Sequence, residues 1–125
     1  MQRRLRSLST AGLLCLVTLW LYGSPAEGHA ICLESSPAPQ SAVAGPNVSI
    51  RLRFNVRVDG TRSRLVLLLP NHATQALVIQ EQSAADTLIA QAIGLQPSDY
   101  RIRWQVLAAD GHITRGEIPF RVSAS

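Results

Sequence analysis

The stretch YRIRWQVL, residues 100–107, alternates apolar and polar side chains from Tyr100 to Val106. Side chains of a β-strand point alternately to opposite faces, so this pattern predicts a strand with one buried and one solvated face. Residues 48–54, VSIRLRF, repeat the alternation. Trp104 falls on the apolar face, where we expect a large aromatic side chain to anchor a small core.

The rest of the chain after residue 28 also has a β pattern. Segments rich in Pro, Gly, Asp and Asn separate further short apolar runs, which cover residues 64–69, 75–80, 87–93 and 118–122. No amphipathic run is long enough for a proper helix. Short strands at this spacing predict an all-β antiparallel sandwich or barrel of about seven strands.

Residues 1–28 have the three parts of a secretory signal peptide. Three arginines open the chain, an apolar run covers residues 11–22, and small residues stand at Ala26 and Gly28. The apolar run is shorter than the roughly 20 residues that span a membrane. We therefore predict cleavage after Gly28, with an uncleaved anchor as the alternative. A soluble, exported domain of residues 29–125 would remain, with no membrane span.

The composition of the predicted mature chain excludes some functions. Its 97 residues are enough for one domain. It has nine Arg and seven acidic residues without a basic, aromatic-rich cluster, which argues against binding to nucleic acid. One cysteine, Cys32, remains, so no internal disulfide is expected. The single methionine, Met1, leaves with the leader, so the mature chain has no thioether ligand for Cu(I).

Cleavage after Gly28 would make His29 the first residue, with an α-amine and an imidazole close enough to chelate one metal ion. A second candidate is the sequence Asp110-Gly111-His112, in which an Asp-Gly turn places a carboxylate beside an imidazole. Together these groups supply three nitrogens and one oxygen. Such a set suits tetragonal Cu(II), whereas Zn(II) prefers a tetrahedral arrangement.

Two more residues are candidate peripheral ligands. His72 lies in a predicted loop; it is either an exposed loop residue or a ligand, if the loop folds toward the same end of the domain. Cys32 is either a small buried apolar side chain or an additional soft ligand.

Several segments resemble CopC-type copper-resistance proteins. His29-Ala30 with residues 35–38, SSPA, resembles the family's opening block, and residues 48–54 resemble its second block. Residues 100–112 with residues 116–122 resemble its most specific block, a Tyr-x-Val-x-Trp run that ends in Asp-Gly-His.

The resemblance implies a periplasmic Ig-like or Greek-key β-fold that binds one Cu(II) through His29, Asp110 and His112. It implies copper resistance, homeostasis or delivery without catalysis, beside a membrane copper transporter as the partner. One position departs from the family pattern, because Val56 stands where an acidic residue is usual. Loss of an outer-shell partner lowers metal affinity about 10–100-fold.

Two other functions are consistent with parts of the sequence. A metal-free, Ig-like envelope module with a partner-binding surface would have the same strands, since a fold alone does not determine function. An N-terminal histidine also chelates copper in lytic polysaccharide monooxygenases. Those enzymes use a broad aromatic face on a larger scaffold, whereas the few aromatic residues of this domain fall mostly on inward faces.

Overall fold

The computed structural model describes residues 29–124, which form eight β-strands and no helix. The predicted signal peptide, residues 1–28, lies outside the described residues. The strands are β1 (Cys32–Ser36), β2 (Ser41–Ala44), β3 (Val48–Phe54), β4 (Arg64–Leu68), β5 (Thr74–Leu77), β6 (Thr87–Ala92), β7 (Ser98–Leu107) and β8 (Ile113–Ser123). The predicted all-β fold is confirmed, with one strand more than the expected seven.

The strands form two sheets that pack face to face. One sheet has the order β1-β3-β6, and the other has the order β2-β8-β7-β4-β5. Neighbouring strands are antiparallel except for β2 and β8, which are parallel. The inward side chains of β3 and β7 are buried at every second position, as their alternation predicts. The fold is therefore a sandwich of two separate sheets.

Trp104 occupies the core, as predicted. Its indole packs edge-on against Phe54 of the opposite sheet, with ring centroids 5.2 Å apart. The ring also lies over Gly116, the residue paired with Trp104 across β7 and β8, where an added Cβ would overlap the indole. This contact joins the two sheets through one aromatic side chain.

The two strands that the sequence pattern did not predict are β1 and β2. The register of β1 against β3 shifts between Cys32 and Glu34, and no residue of β1 is fully buried. The strand β2 has only four residues and is half-buried at two of them. Neither strand has the clean alternation that identifies a strand from sequence.

The pairing of β7 with β8 determines where the Asp110-Gly111-His112 turn lies. Leu107 pairs with Ile113, so the intervening residues 108–112 form a tight turn at one end of the larger sheet. The turn between β4 and β5 lies at the other end, because Leu68 pairs with Arg101 near the start of β7. No helix within residues 29–124 is long and apolar enough to cross a membrane.

Candidate metal centre

The turn between β7 and β8 presents Asp110 and His112 to solvent. The N–H of Gly111 donates to the carbonyl of Ala108 at 2.9 Å, and the N–H of Ala108 donates to the carbonyl of His112 at 2.9 Å. Gly111 has a φ of 91°, in the left-handed region that glycine adopts without steric cost. The Asp-Gly pair thus closes the hairpin as the sequence predicts.

The Asp110 carboxylate holds the His112 imidazole in place. One carboxylate oxygen accepts the His112 backbone N–H at 3.1 Å, and the other lies 2.8 Å from the ring Nδ1. Hydrogen bonds from His112, the ring first, lower the pKa of Asp110 below its ordinary value. Since a carboxylate accepts the bond, the Nδ1 of a neutral ring carries the proton, and Nε2 has the lone pair that can bind a metal.

His29 lies beside His112, although 83 positions separate them in the sequence. The centroids of the two imidazole rings are 5.4 Å apart, and the rings are tilted by 39°. A metal–imidazole bond is about 2.0 Å long, so rings at this separation can share one ion. Both side chains belong to exposed residues, so an ion can reach them from solvent.

The segment that carries His29 is attached to the sandwich by Asn55. The side-chain oxygen of Asn55 accepts the Ile31 N–H at 2.7 Å, and the Asn55 N–H donates to the Ile31 carbonyl at 3.1 Å. Ala30 is buried in the core. Sequence reasoning missed the role of Asn55. The only signal was an amide residue directly after an alternating strand.

The loop after β3, residues 55–58, supports both parts of the site. While Asn55 binds Ile31, the carbonyl of Arg57 accepts the Ala109 N–H at 3.0 Å, and Val58 forms a β-bridge with Ala108. Val56, which stands where the family pattern has an acidic residue, is half-buried against the core. This loop therefore sets the position of the N-terminal segment relative to the turn.

The three predicted ligands lie at the same end of the domain, but they do not form a ready metal cage. Within residues 29–124, no three side chains of His, Cys, Asp or Glu converge on one point as a metal-binding group. The Asp110 carboxylate bonds to His112. Two of the four predicted donors belong to one residue, His29.

The structure places His72, the predicted peripheral ligand, away from His29, Asp110 and His112. His72 follows β4, and Leu68 at the end of β4 pairs with Arg101 of β7. The turn that contains Asp110 and His112 begins after Leu107 of β7. Arg101 and Leu107 are six residues apart along β7, which corresponds to about 20 Å. The hairpin between β4 and β5 turns away at the far end of the sheet, which a sequence pattern does not reveal.

Cys32 has the contacts of a packing residue. It is half-buried against the core, and its Sγ lies 3.4 Å from the carbonyl of Glu34. Burial raises the pKa of the Cys32 thiol, which disfavours the thiolate that binds metals. These contacts favour the first of the two interpretations, a small apolar side chain.

Comparisons with known proteins match nearly the whole described chain. A family model of the CopC domain matches residues 32–123. This range includes the Asp110-Gly111-His112 turn and begins three residues after His29. Protein YobA of Escherichia coli (strain K12) is 29% identical over 120 residues, which cover 94% of this chain and 95% of YobA.

Two solved structures have the same fold. CopC from Methylosinus trichosporium OB3b superimposes with a TM-score of 0.71 at 26% identity, over 76% of this chain and 94% of that one. PcoC, a methionine-rich copper resistance protein from Escherichia coli, superimposes with a TM-score of 0.60 at 23% identity, over 76% of this chain and 99% of PcoC. The two-sheet sandwich described above is therefore the fold of these proteins.

Proposed function

Because the chain belongs to the CopC domain family, we propose that it is an exported protein that holds one Cu(II) without catalysing a reaction. Removal of residues 1–28 would free the α-amine of His29 in the periplasm. The observation that carries the proposal is the 5.4 Å separation between the His29 and His112 rings. One of the solved structures with the same fold is that of PcoC, a copper resistance protein.

The donor chemistry fits a cupric ion. The amine and imidazole of His29 supply two nitrogens of one chelate, and Nε2 of His112 supplies a third. A carboxylate oxygen of Asp110 completes a set of three nitrogens and one oxygen, which suits tetragonal Cu(II). The mature sequence has no methionine, so a thioether site for Cu(I) has no ligands here.

Asp110 has two roles in this proposal. In the metal-free protein its carboxylate orients the imidazole of His112, as a carboxylate partner commonly does for a metal-binding histidine. When copper binds, its negative charge offsets part of the charge of the ion. Replacement of Asp110 by Asn keeps an oxygen donor but removes the carboxylate that orients His112, so it should weaken Cu(II) binding about 10–100-fold, less than loss of a histidine.

The site favours storage or delivery over catalysis. The two histidines are exposed at the end of the sandwich, where a second protein can reach the bound ion. We propose a membrane copper transporter as the acceptor. The amine must lose a proton to bind, with an ordinary pKa near 7.7–8.0, so copper affinity should fall in acid.

The experiment compares the processed protein with a form that has one alanine added before His29. The full coding sequence is expressed, and the intact mass of the exported product establishes whether it begins at His29. Cu(II) is then titrated by EPR. We expect one tight site in the processed form and a loss of more than about 100-fold in the extended form, because the added residue moves the amine away from the imidazole.

Equal affinity of the two forms would refute the chelate. A product that begins at another residue would refute the proposed maturation. If the processed protein neither binds Cu(II) nor gains thermal stability from it, the metal-free envelope module becomes the better explanation.

A further inference from the structure

The outward face of the five-stranded sheet is strongly cationic. Five exposed arginines on β4, β7 and β8 alternate with buried or half-buried residues, and only two acidic residues accompany them. The arginines are Arg64, Arg101, Arg103, Arg115 and Arg121, and the acidic residues are Asp99 and Glu117; together they form what we call the arginine face.

The charge of the described chain is unevenly distributed. The arginine face has a net charge of +3, whereas residues 29–124 as a whole have nine arginines and seven acidic residues, a net charge of +2. The rest of the domain is thus slightly negative. A single-signed face of this kind attracts an anionic partner and orients it during approach.

Three of these arginines form ion pairs with the acidic residues of the same sheet face. Arg121 lies 3.0 Å from Asp99, and Glu117 accepts from Arg101 at 3.2 Å and from Arg103 at 3.0 Å. The three arginine side chains remain more than half exposed. Since a guanidinium has five donors, each arginine keeps N–H groups for a second carboxylate.

One end of the arginine face is recessed into a trough of about 630 Å³. Its floor contains Arg101, Pro119 and Arg121. The topology places Gln40, before β2, on one side of the floor, and Pro70 and His72, after β4, on the other. The volume lies within the range of about 300–1,000 Å³ that is typical of ligand sites.

Both walls of the trough contain a residue other than glycine in the left-handed backbone region. Gln40 has a φ of 64° and donates its N–H to the carbonyl of Pro119 at 2.8 Å. His72 has a φ of 69° and donates its N–H to the carbonyl of Leu69 at 3.0 Å. Such conformations cost energy and often occur at binding sites, so their presence on both walls directs attention to the trough.

We propose that the arginine face docks an acidic, extended segment of a partner protein, whose carboxylates bind Arg101 and Arg121 in the trough. On the sheet Arg101 opposes Pro119 and Arg121 opposes Asp99, so the two arginines are diagonal neighbours about 7–8 Å apart. In an extended peptide, alternate side chains on one face are about 6.6 Å apart. A segment with carboxylates at every second position therefore matches the two guanidinium groups.

The shape of the face favours a polypeptide over a lipid surface. A flat headgroup layer cannot follow the floor between the two walls. The fixed carboxylates of Asp99 and Glu117 also repel a uniformly anionic surface, whereas a peptide can direct neutral residues toward them.

The test uses protein from the full coding sequence, freed of metal with a chelator, so that its outcome does not depend on copper binding. The probe is a fluorescent peptide of four Glu-Ser repeats, with four Gln-Ser repeats as the uncharged control. Binding is measured by anisotropy at low salt, because exposed charge pairs are screened by salt. Amide NMR shifts identify the face that is contacted.

A matched pair of double variants decides the outcome. Arg101→Gln with Arg121→Gln should weaken peptide binding by roughly tenfold or more, since each removes a guanidinium that binds a carboxylate in two places. Arg51→Gln with Arg53→Gln, on the outward face of the other sheet, should leave it unchanged. The two pairs are comparable, because Arg53 is bonded to Glu34 as Arg121 is to Asp99.

Equal losses in the two double variants would overturn the proposal, as would NMR shifts confined to residues outside β4, β7, β8 and the two walls of the trough. Vesicles of phosphatidylcholine and phosphatidylglycerol in a 3:1 ratio are the alternative probe. Binding to these vesicles that depends on Arg101 and Arg121, without binding to the peptide, would replace the protein partner with a membrane.

Discussion

Two hairpin turns of the larger sheet, at opposite ends of the sandwich, have similar local structure and different surroundings. In the turn after β7, a side-chain oxygen of Asp110 accepts the N–H of His112 at 3.1 Å. In the turn after β4, the side-chain oxygen of Asn71 accepts the N–H of Ala73, also at 3.1 Å. Each turn contains one histidine and one residue with positive φ.

The difference lies in which residue takes the left-handed conformation and in what lies beside the turn. After β7, Gly111 has the positive φ, and His112 bonds to Asp110 and contacts His29. After β4, His72 itself has the positive φ and borders the trough of the arginine face. A histidine in an Asx turn is thus a candidate ligand only where the fold supplies a second donor.

The largest expected effect comes from replacing the histidine of each hairpin turn by alanine. His112→Ala should lower the Cu(II) affinity of the processed protein by more than about 100-fold, because a ligand is lost rather than an outer partner. His72→Ala, at the other turn, should leave the affinity unchanged. EPR titration of both variants gives the comparison. Equal losses would mean that the two turns do not differ in the proposed way.

A smaller effect should come from exchanging the backbone requirements of the two turns. Gly111→Ala should lower the free energy of unfolding by about 1–2 kcal/mol, because alanine is strained at positive φ although space for its Cβ is open. His72→Gly relieves similar strain but adds the entropy cost of glycine, so the net change should be within about 0.5 kcal/mol. Chemical denaturation measures both values.

If His72→Gly destabilises the protein as much as Gly111→Ala does, backbone freedom is not what separates the two turns. Both variants keep the hydrogen-bonding Asx residue, so neither result depends on the loss of that contact.

The smallest effect should be the pH dependence of the metal-free protein. Hydrogen bonds from His112 lower the folded-state pKa of Asp110, so its contribution to stability is present above the ordinary carboxyl pKa of about 3.9. That contribution is lost as the pH falls through the lower, folded-state pKa. Asn71 does not titrate, so its hydrogen bond to Ala73 has no such dependence on the charge of the acceptor.

The check is the pH profile of unfolding between about pH 6 and pH 2 for the metal-free protein and for Asp110→Asn. The native protein should lose stability more steeply than the variant at the acid end. Parallel profiles would contradict the predicted contribution of the Asp110 carboxylate to stability.

Much of the fold could be predicted because its main strands have a local pattern. Residues 48–54 and 100–106 alternate without a break, and both belong to strands with the predicted inward faces. The strands β1 and β2 have no such pattern, because an irregular register and partial exposure remove the alternation. The strand β8 was predicted only in part, since its first residues are not fully buried.

The candidate site was predictable as a set of donor types but not as a geometry. The donors on His29, Asp110 and His112 follow from the sequence and from the proposed cleavage. Asn55, which fixes Ile31, and Arg57, which fixes Ala109, could not be found in this way, because their contacts join segments far apart in the chain. The same limit applies to His72.

The strand faces, the Asp-Gly turn and the types of donor atom follow from the amino-acid sequence alone, because each depends on neighbouring residues only. The tertiary structure decided which histidine lies beside His29, and it placed five arginines on one sheet face with a trough at one end. The physical reason is that strand order and register bring distant segments together. A one-dimensional pattern has a period but does not specify which strands become neighbours.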